Sequence, residues 1–390
     1  MAAIFNRNGH VLSETTVVAR PQRRSREHLY DIDGHIRIDS AIKLPELEFF
    51  RVQTLDDVDL VIRIGTVGGL RPRGKIDLRP DWERLVYREH LGGLFANFQI
   101  DLRHPVRIDA GFLLACSPHV LYTNVVEPLL RFLLVLKGRM LLHAACVHLD
   151  GTTVMLSAKT DTGKTSTILT LLRQGGGTFL SDDMTIVSED GRASRYPKPL
   201  TISAHTLRAV PQNRLRFSQR ASLAIQSRLH SKGGRSVGKS LGSSNLPIMS
   251  MNAFVQAAIP PPKYMVTDLV ACKIGQEVPI ELLYVIERGQ SLVERIETEH
   301  VVDELLENTD DAYGFPPYSR LAPRLVLGGE THDELRRRER QILTRALSGA
   351  YATRLRVENF QWAEHILTDV ARVREAAPAS GIDREGLVAV

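Results

Sequence analysis

A chain of 390 residues with 43% hydrophobic and 24% charged residues has the make-up of an ordinary soluble protein with a substantial core, divided into about two or three domains. Its three cysteines, Cys116, Cys146 and Cys272, are far apart and lack metal-ligand spacing, which argues against a disulfide framework and fits a reducing compartment. The net charge of +5 conceals an uneven distribution, because residues 191–267 hold no Asp or Glu.

The first residues, MAAIFNRNGHVLSETT, lack the apolar core of a secretion signal. Residues 1–110 read as a β-rich α+β N-terminal domain, with apolar runs at 58–64 and 98–102 bounded by Gly, Pro and Asp clusters. Residues 20–26 are basic and read as a loop. No catalytic constellation stands out here, and the domain is expected to cover or orient the core domain. The most apolar stretch, 125–142, carries Glu127, Arg131, Lys137 and Arg139. A membrane span needs about 20 mostly apolar residues, so this stretch reads as a buried helix and the protein as cytoplasmic.

The core domain is expected over residues 111–330. A helix over 120–137 ends at Gly138, and 141–149 reads as a strand. Asp150-Gly151 is a hairpin signal. A two-residue turn there pairs Leu149 with Thr152 and carries His143 opposite Ala158, although a one-residue slip would move it away. A histidine in an apolar strand is often a plain core residue; this register favours a role in a site.

Beyond the hairpin, Ala158-Lys159-Thr160-Asp161-Thr162-Gly163-Lys164-Thr165 fits the phosphate-loop pattern, with Ala in place of the first Gly. An apolar strand, Val154-Met155-Leu156, precedes it. A helix over 165–173 comes next, beginning with Thr165 and Ser166 and stopping at Gly175-Gly176-Gly177. In that setting the backbone N–H groups of 158–166 cradle the polyphosphate of ATP. Lys164 reaches the β- and γ-phosphates and the Thr165 hydroxyl holds Mg²⁺.

The next strand, 178–181, leads into Asp182-Asp183. One carboxylate can bind Mg²⁺ while the other accepts a proton from an attacking hydroxyl, and Asp183 is placed with Thr165 at the metal. Side chains alternate along a strand, so both can serve only if the strand ends or bulges here. Alternatively, one Asp simply caps the next turn.

His143 in an apolar strand, the hairpin, the loop AKTDTGKT, its helix and LSDD together resemble the HPr kinase/phosphorylase family. The resemblance is best over residues 141–188. It implies a fold related to phosphoenolpyruvate carboxykinase, and transfer of phosphate from ATP to a serine of a carrier protein. On the family's pattern His143, Lys164, Asp182 and Asp183 are the catalytic residues. Family members often assemble as oligomers, so a homo-oligomer is implied as well. The family's glycine-rich signature is missing downstream of the aspartates, where the acid-free segment stands instead, so the acceptor need not be HPr.

That segment, with Arg192, Arg195, Lys198 and Lys263 among its cations, should attract an anionic partner: an acidic protein or peptide, another anionic acceptor, or an anionic membrane surface touched peripherally. Its few aromatics, Tyr196, Phe217, Phe254 and Tyr264, argue against nucleic acid. A solubilising loop is the bland alternative. Further on, 279–287 reads as a strand extending the core sheet and 301–307 as a short helix. Residues 308–318 read as a rigid turn or an acceptor-binding lid. Thr331 and Glu334 make a capping box that opens a helix whose arginines form a solvated face. Residues 331–375 are expected to be a helical segment and 376–390 a disordered tail.

The sum is an α/β phosphate-loop core with a mixed sheet, working as an ATP- and Mg²⁺-dependent kinase on an acceptor hydroxyl, a Ser or Thr of a protein or peptide. The alternatives are a small-molecule or lipid-carrier kinase and a non-catalytic ATP-binding regulator.

Overall fold

The computed structural model describes residues 27–67, 76–80, 83–91, 93–159, 162–200, 247–258, 260, 263–314, 316–358 and 361–376. The basic loop at 20–26, Thr160, Asp161, most of the acid-free segment and the tail beyond Ala376 lie outside the described residues.

The N-terminal strands are β1 (His28–Ile32), β2 (Ile36–Ser40), β3 (Arg51–Val52), β4 (Leu60–Ile64), β5 (Ile76–Pro80), β6 (Arg84–Leu91), β7 (Leu94–Asp101) and β8 (Val106–Ala110). They form one mixed sheet in the order β3-β1-β2-β4-β8-β7-β6-β5. Alternation explains how it packs: in β2, Ile36 and Ile38 are buried while Arg37 and Asp39 are half-buried. The buried face joins the same apolar cluster as helix α1 (Glu127–Leu136), with Tyr30, Ile38, Phe98 and Ile108 sharing a core with Phe132 and Leu133. The apolar core therefore runs unbroken across residue 110.

The helical stretch Pro118–Leu136 is long and apolar enough to cross a membrane, but 78% of its apolar window is buried inside the protein. It is a core element, as its composition implies. It does not extend to residue 142, because Gly138, at φ +71°, ends it. The chain continues as β9 (Arg139–Leu142), β10 (Ala145–Leu149) and β11 (Thr152–Ser157). The turn between β10 and β11 has positive φ at both Asp150 and Gly151, and the register is the one expected, from Leu149↔Thr152 to Ala145↔Leu156.

That ladder stops at Ala145, so His143 does not lie opposite Ala158. The strand expected over 141–149 is two strands belonging to two sheets. After β11 come helix α2 (Lys164–Gly175) and strands β12 (Thr178–Ser181), β13 (Thr185–Ser188) and β14 (Arg192–Ser194). Beyond the undescribed part of the basic segment lie helix α3 (Ile248–Ala258) and strands β15 (Lys273–Ile274), β16 (Val278–Pro279), β17 (Leu282–Arg288) and β18 (Leu292–Arg295). β9 joins a four-stranded sheet, β16-β14-β13-β9, whereas β10 enters the core sheet.

Helix α4 runs Thr298–Tyr313 and so takes in 308–313, the first part of the stretch read as a turn or lid. Its first half repeats buried apolar residues at helical spacing, Val301, Val302, Leu305 and Leu306. The second half continues that face with Asn308, Thr309 and Tyr313, whose polar letters hid the period. The short ladder β19 (Val326–Leu327) with β20 (Glu330–Thr331) leads to helix α5 (His332–Ala346), opened by the expected capping box. The arginines of α5 are not simply a solvated face. Arg336, Arg338, Arg340 and Arg345 pair with Asp310, Glu330, Asp303 and Glu189.

Residues 331–375 are also not purely helical. Between α5 and helix α6 (Trp362–Ala376) runs β21 (Tyr351–Val357), the parallel neighbour of β17. The core sheet reads β15-β12-β10-β11-β17-β21-β18, with β11, β17 and β21 parallel at its centre. Arg354 and Arg356 disguise β21 in the sequence, and both are neutralised by carboxylates, Glu287 among them.

Helices α1, α4 and α5 are locked by one buried ion pair. Arg131 and Glu339 are both 0% exposed. Arg131 Nη2 lies 2.8 Å from a Glu339 oxygen and 2.9 Å from Asp310. Glu339 is the fully buried counter-charge of Arg131, and without it Arg131 keeps only the half-exposed Asp310. Glu339→Ala is expected to cost about 3–5 kcal/mol in a urea titration, whereas replacing Arg131 and Glu339 together by Met and Leu should cost far less.

Candidate active site

The phosphate-loop sequence sits where a parallel α/β sheet places ligands, beyond the carboxyl end of a central strand. β11 ends at Ser157, the loop comes next, and α2 starts at Lys164. Ala158 is 1% exposed, so a small residue suffices at this first position. The described part of the loop turns through Lys159, whose carbonyl accepts from the Thr162 backbone N–H at 3.2 Å and the Thr162 hydroxyl at 2.7 Å. Gly163 has φ +133°, and a Cβ there would come within 3.1 Å of the Trp362 ring. The backbone conformation calls for glycine, and the ring leaves little room for a side chain.

Two residues that sequence reasoning did not find support this turn. Trp362, fully buried at the start of α6, closes on Gly163 and donates its indole N–H to the Glu287 carbonyl at 3.0 Å. Arg288, at the end of β17, donates to the Thr162 carbonyl from Nε at 2.9 Å and Nη2 at 2.7 Å. The Ser166 hydroxyl is spent on the Gly163 carbonyl at 2.7 Å. That leaves its backbone N–H, at the helix N-terminus, for the anion-binding role expected of it.

Lys164 extends into the site. Its Nζ is buried without a hydrogen-bond partner, and burial pulls it below the usual lysine range despite Asp183 and Asp182 nearby. Thr165 donates its hydroxyl to Asp182 Oδ2 at 2.8 Å. The other oxygen, Asp182 Oδ1, is buried with no partner. Burial pushes this carboxyl up to about 6, against the lowering effects of Lys164 and Thr165. A buried ammonium and a buried carboxylate oxygen without partners are costly in isolation. They fit a polyphosphate carrying a divalent cation: phosphate oxygens would complete Lys164, and the cation would be held by Asp182 and Thr165.

Strand β12 ends at Ser181, whose hydroxyl meets that of Thr185, and Asp182-Asp183 form a bend. Alternation therefore lapses, and both carboxylates reach one site. Asp183 Oδ2 accepts from Lys198 Nζ at 2.9 Å, and Oδ1 lies 3.4 Å from His143 Nε2. Burial would raise this carboxyl, but Lys198 and His143 outweigh it and hold it well below the usual range. About half of its side chain (51%) is nevertheless open to solvent.

His143 reaches the site by a route other than the expected strand pairing. It sits in the break between β9 and β10, where its backbone N–H donates to Thr309 Oγ1 at 3.2 Å. Nδ1 lies 3.1 Å from the Asn308 carbonyl. A carbonyl only accepts, so Nδ1 carries the hydrogen and Nε2 faces Asp183.

Lys198 and Glu127 also belong here, and neither was singled out from the sequence. Lys198 Nζ is 2.7 Å from Glu127 Oε2. Its side chain is 12% exposed and Glu127's is 6% exposed. Lys198 was counted among the basic segment's cations and Glu127 among the charges that interrupt an apolar helix. The available signal was that one acid: a carboxylate on an otherwise buried helix needs a cation to face it. The other described cations of the segment are matched too, Arg192 by Glu277, Arg195 by Asp33 and Lys263 by Glu46. Each of these described cations thus already has a carboxylate partner. Among the described residues, no group of three or more His, Cys, Asp or Glu makes a metal cage.

No protein-family model and no curated protein matches the sequence. The structure of the Hpr(Ser) kinase/phosphatase from Coxiella burnetii is similar over 60% of this chain and 97% of its own, at 8% identity and a TM-score of 0.26. So distant a likeness adds no weight to any residue's role, and the assignments rest on the geometry above.

The geometry makes a pH-dependent prediction. Asp182 binds its proton more tightly when folded, at about 6 against 3.8. Its ionisation therefore costs stability as pH rises through that window. Without nucleotide or divalent metal, Asp182→Asn should be more stable than the parent by about 1–3 kcal/mol at pH 7.5. The difference should vanish below about pH 3, where Asp182 is protonated in both states. Urea titrations at the two pH values measure it, and an Asn variant less stable at pH 7.5 would contradict the assignment.

Proposed function

We propose that the protein is an ATP-dependent kinase that transfers the γ-phosphate to a hydroxyl of a protein or peptide, with an HPr-kinase-like arrangement of its site. The observation that carries this reading is the division of the aspartate pair. Asp182 turns to the phosphate-loop hydroxyl of Thr165, while Asp183 turns to His143 and Lys198. A module that only binds nucleotide has use for the first carboxylate and none for the second.

The described backbone N–H groups at the start of α2 face the phosphates, and Lys164 neutralises charge that develops as the γ-phosphoryl group moves. Mg²⁺ would be held by Thr165 and Asp182 and would supply charge neutralisation between the β- and γ-phosphates. This moves the metal from Asp183, its expected ligand, to Asp182. Asp183, with His143 beside it, orients the acceptor hydroxyl.

In the transfer, the bond from the γ-phosphorus to the bridging oxygen breaks and its electron pair leaves with ADP. A bond forms between that phosphorus and the acceptor oxygen, and the hydroxyl proton passes to Asp183. A carboxylate as acidic as Asp183 is a weak base for an intact hydroxyl. It takes the proton late, once bonding to phosphorus has made the hydroxyl acidic, as a loose transition state requires. The open side of Asp183 suits a hydroxyl presented by a large acceptor.

The test uses γ-labelled ATP and a cell extract. Label is expected in protein, on serine or threonine. Label in lipid or a small solute would overturn the acceptor class, and label only in free phosphate would overturn the kinase. Lys164→Ala should lower transfer by at least about 100-fold while leaving the unfolding transition cooperative. Full transfer by this variant would sink the site assignment.

A further inference from the structure

We propose that Lys198, anchored by Glu127, is a positioning residue that orients Asp183 towards the acceptor. The inference rests on the phosphoryl-transfer reading and adds to it a part that the sequence did not reveal.

The two lysines of the site stand in opposite circumstances. Lys164 Nζ is buried and has no partner, so it is free for phosphate. Lys198 Nζ lies between two carboxylates, 2.7 Å from Glu127 and 2.9 Å from Asp183, and also over the Tyr122 ring at 6.0 Å from its centroid. An ammonium so engaged is not a phosphate ligand. Its work is on the carboxylates.

A merely structural pair would need only Glu127 and Lys198, which already satisfy each other in the core. The third member is the informative one. Asp183 is half-exposed and, unrestrained, would be free to rotate at the end of its bend. Lys198 holds Oδ2, which leaves Oδ1 facing the side where His143 Nε2 lies. The remaining neighbours of Asp183 are Asp182, Lys164 on α2 and, at longer range, Glu127 on α1 and Tyr313 on α4. Of the two lysines, Lys198 makes a hydrogen bond to Asp183 and Lys164 makes none.

Lys198 is itself held by a rigid strap. The Tyr196 backbone N–H donates to the Leu180 carbonyl at 2.9 Å, and the Tyr196 hydroxyl meets that of Tyr122 inside the core. Two residues beyond Lys198, Leu200 and Tyr264 exchange backbone hydrogen bonds at 2.7 and 3.1 Å. With both ends tied, the position of Nζ is set before any substrate arrives, which is what orientation of a reacting group demands.

The experiment measures transfer of label from ATP to protein by the full chain, with nucleotide affinity measured separately by equilibrium binding. In Lys198→Met, kcat is expected to fall by about 10–100-fold, as for loss of a supporting partner. The KM for ATP should stay within about twofold. Lys198→Arg, which keeps the charge and a donor, should recover part of the loss. Glu127→Gln, which weakens the anchor but leaves Lys198 in place, should lower kcat less and in the same way. It serves as the test if Lys198→Met does not fold.

Folded variants with the parent's kcat would overturn the inference while leaving the kinase reading intact. A rise in KM for ATP with kcat preserved would also overturn it, by making Lys198 a nucleotide contact. A parent protein that transfers no label would instead overturn the kinase reading itself.

Discussion

Leu142 pairs with Thr185 in the four-stranded sheet, and Cys146 pairs with Ser181 in the core sheet. Two antiparallel neighbours thus leave one sheet and enter another at the same level. The residues in the gaps are His143-Ala144 on one chain segment and Asp182-Asp183-Met184 on the other. The Thr185 hydroxyl, donating to the Ala144 carbonyl at 2.8 Å, ties the two breaks together. In an unbroken ladder, alternation would send Asp182 and Asp183 to opposite faces and point His143 along a strand. The shared break frees all three, and the phosphate loop lies against them because β10 and β11 form one hairpin.

Within that gap the charges are sorted by their partners. Asp182 and Lys164 are both driven towards neutrality by burial, and each has a buried polar atom without a partner. Asp183 and Lys198 are driven the other way, each deepening the other's charge. The first pair is incomplete without a ligand that carries both signs, and a metal-bound polyphosphate is such a ligand. The second pair is complete already. In the proposed kinase this contrast separates a half of the site that binds from a half that orients.

How much of this was legible in the sequence depends on the range of the signal. The hairpin turn, the loop with its glycine, the strand before it, the helix stop and the capping box of α5 are local, and each was readable from neighbouring residues. The sequence also singles out His143 and the aspartates, which the fold brings together by a route that the sequence does not show. The register argument was sound up to Ala145, but a strand that changes sheets leaves no mark in its own alternation. β21 escaped notice because its arginines are neutralised by Glu287, Glu294 and Glu304, which are distant in sequence. The end of α4 escaped because Asn308 and Thr309 occupy core positions with hydrogen-bonded side chains, Asn308 donating to the Ser157 hydroxyl and Thr309 accepting from the His143 backbone N–H. Lys198 and Glu127 are 71 residues apart, and only the fold pairs them.

The same strap links the site to the eight-stranded sheet. Arg195 makes a bidentate contact with Asp33, in the turn between β1 and β2, at 2.9 and 2.7 Å, and its guanidinium lies 5.0 Å over the Phe49 ring. Tyr196, next in sequence, packs against Phe50 with ring centroids 5.8 Å apart. Glu46, in the same short helical turn as the two phenylalanines, pairs with His119 and Lys263. The turn at Asp33 and the turn at 45–50 thus grip the chain three residues before Lys198 reaches Asp183. With the apolar core continuous between them, the N-terminal sheet is part of the framework that sets Lys198, and the geometry of Asp183 depends on it without any described N-terminal residue entering the site.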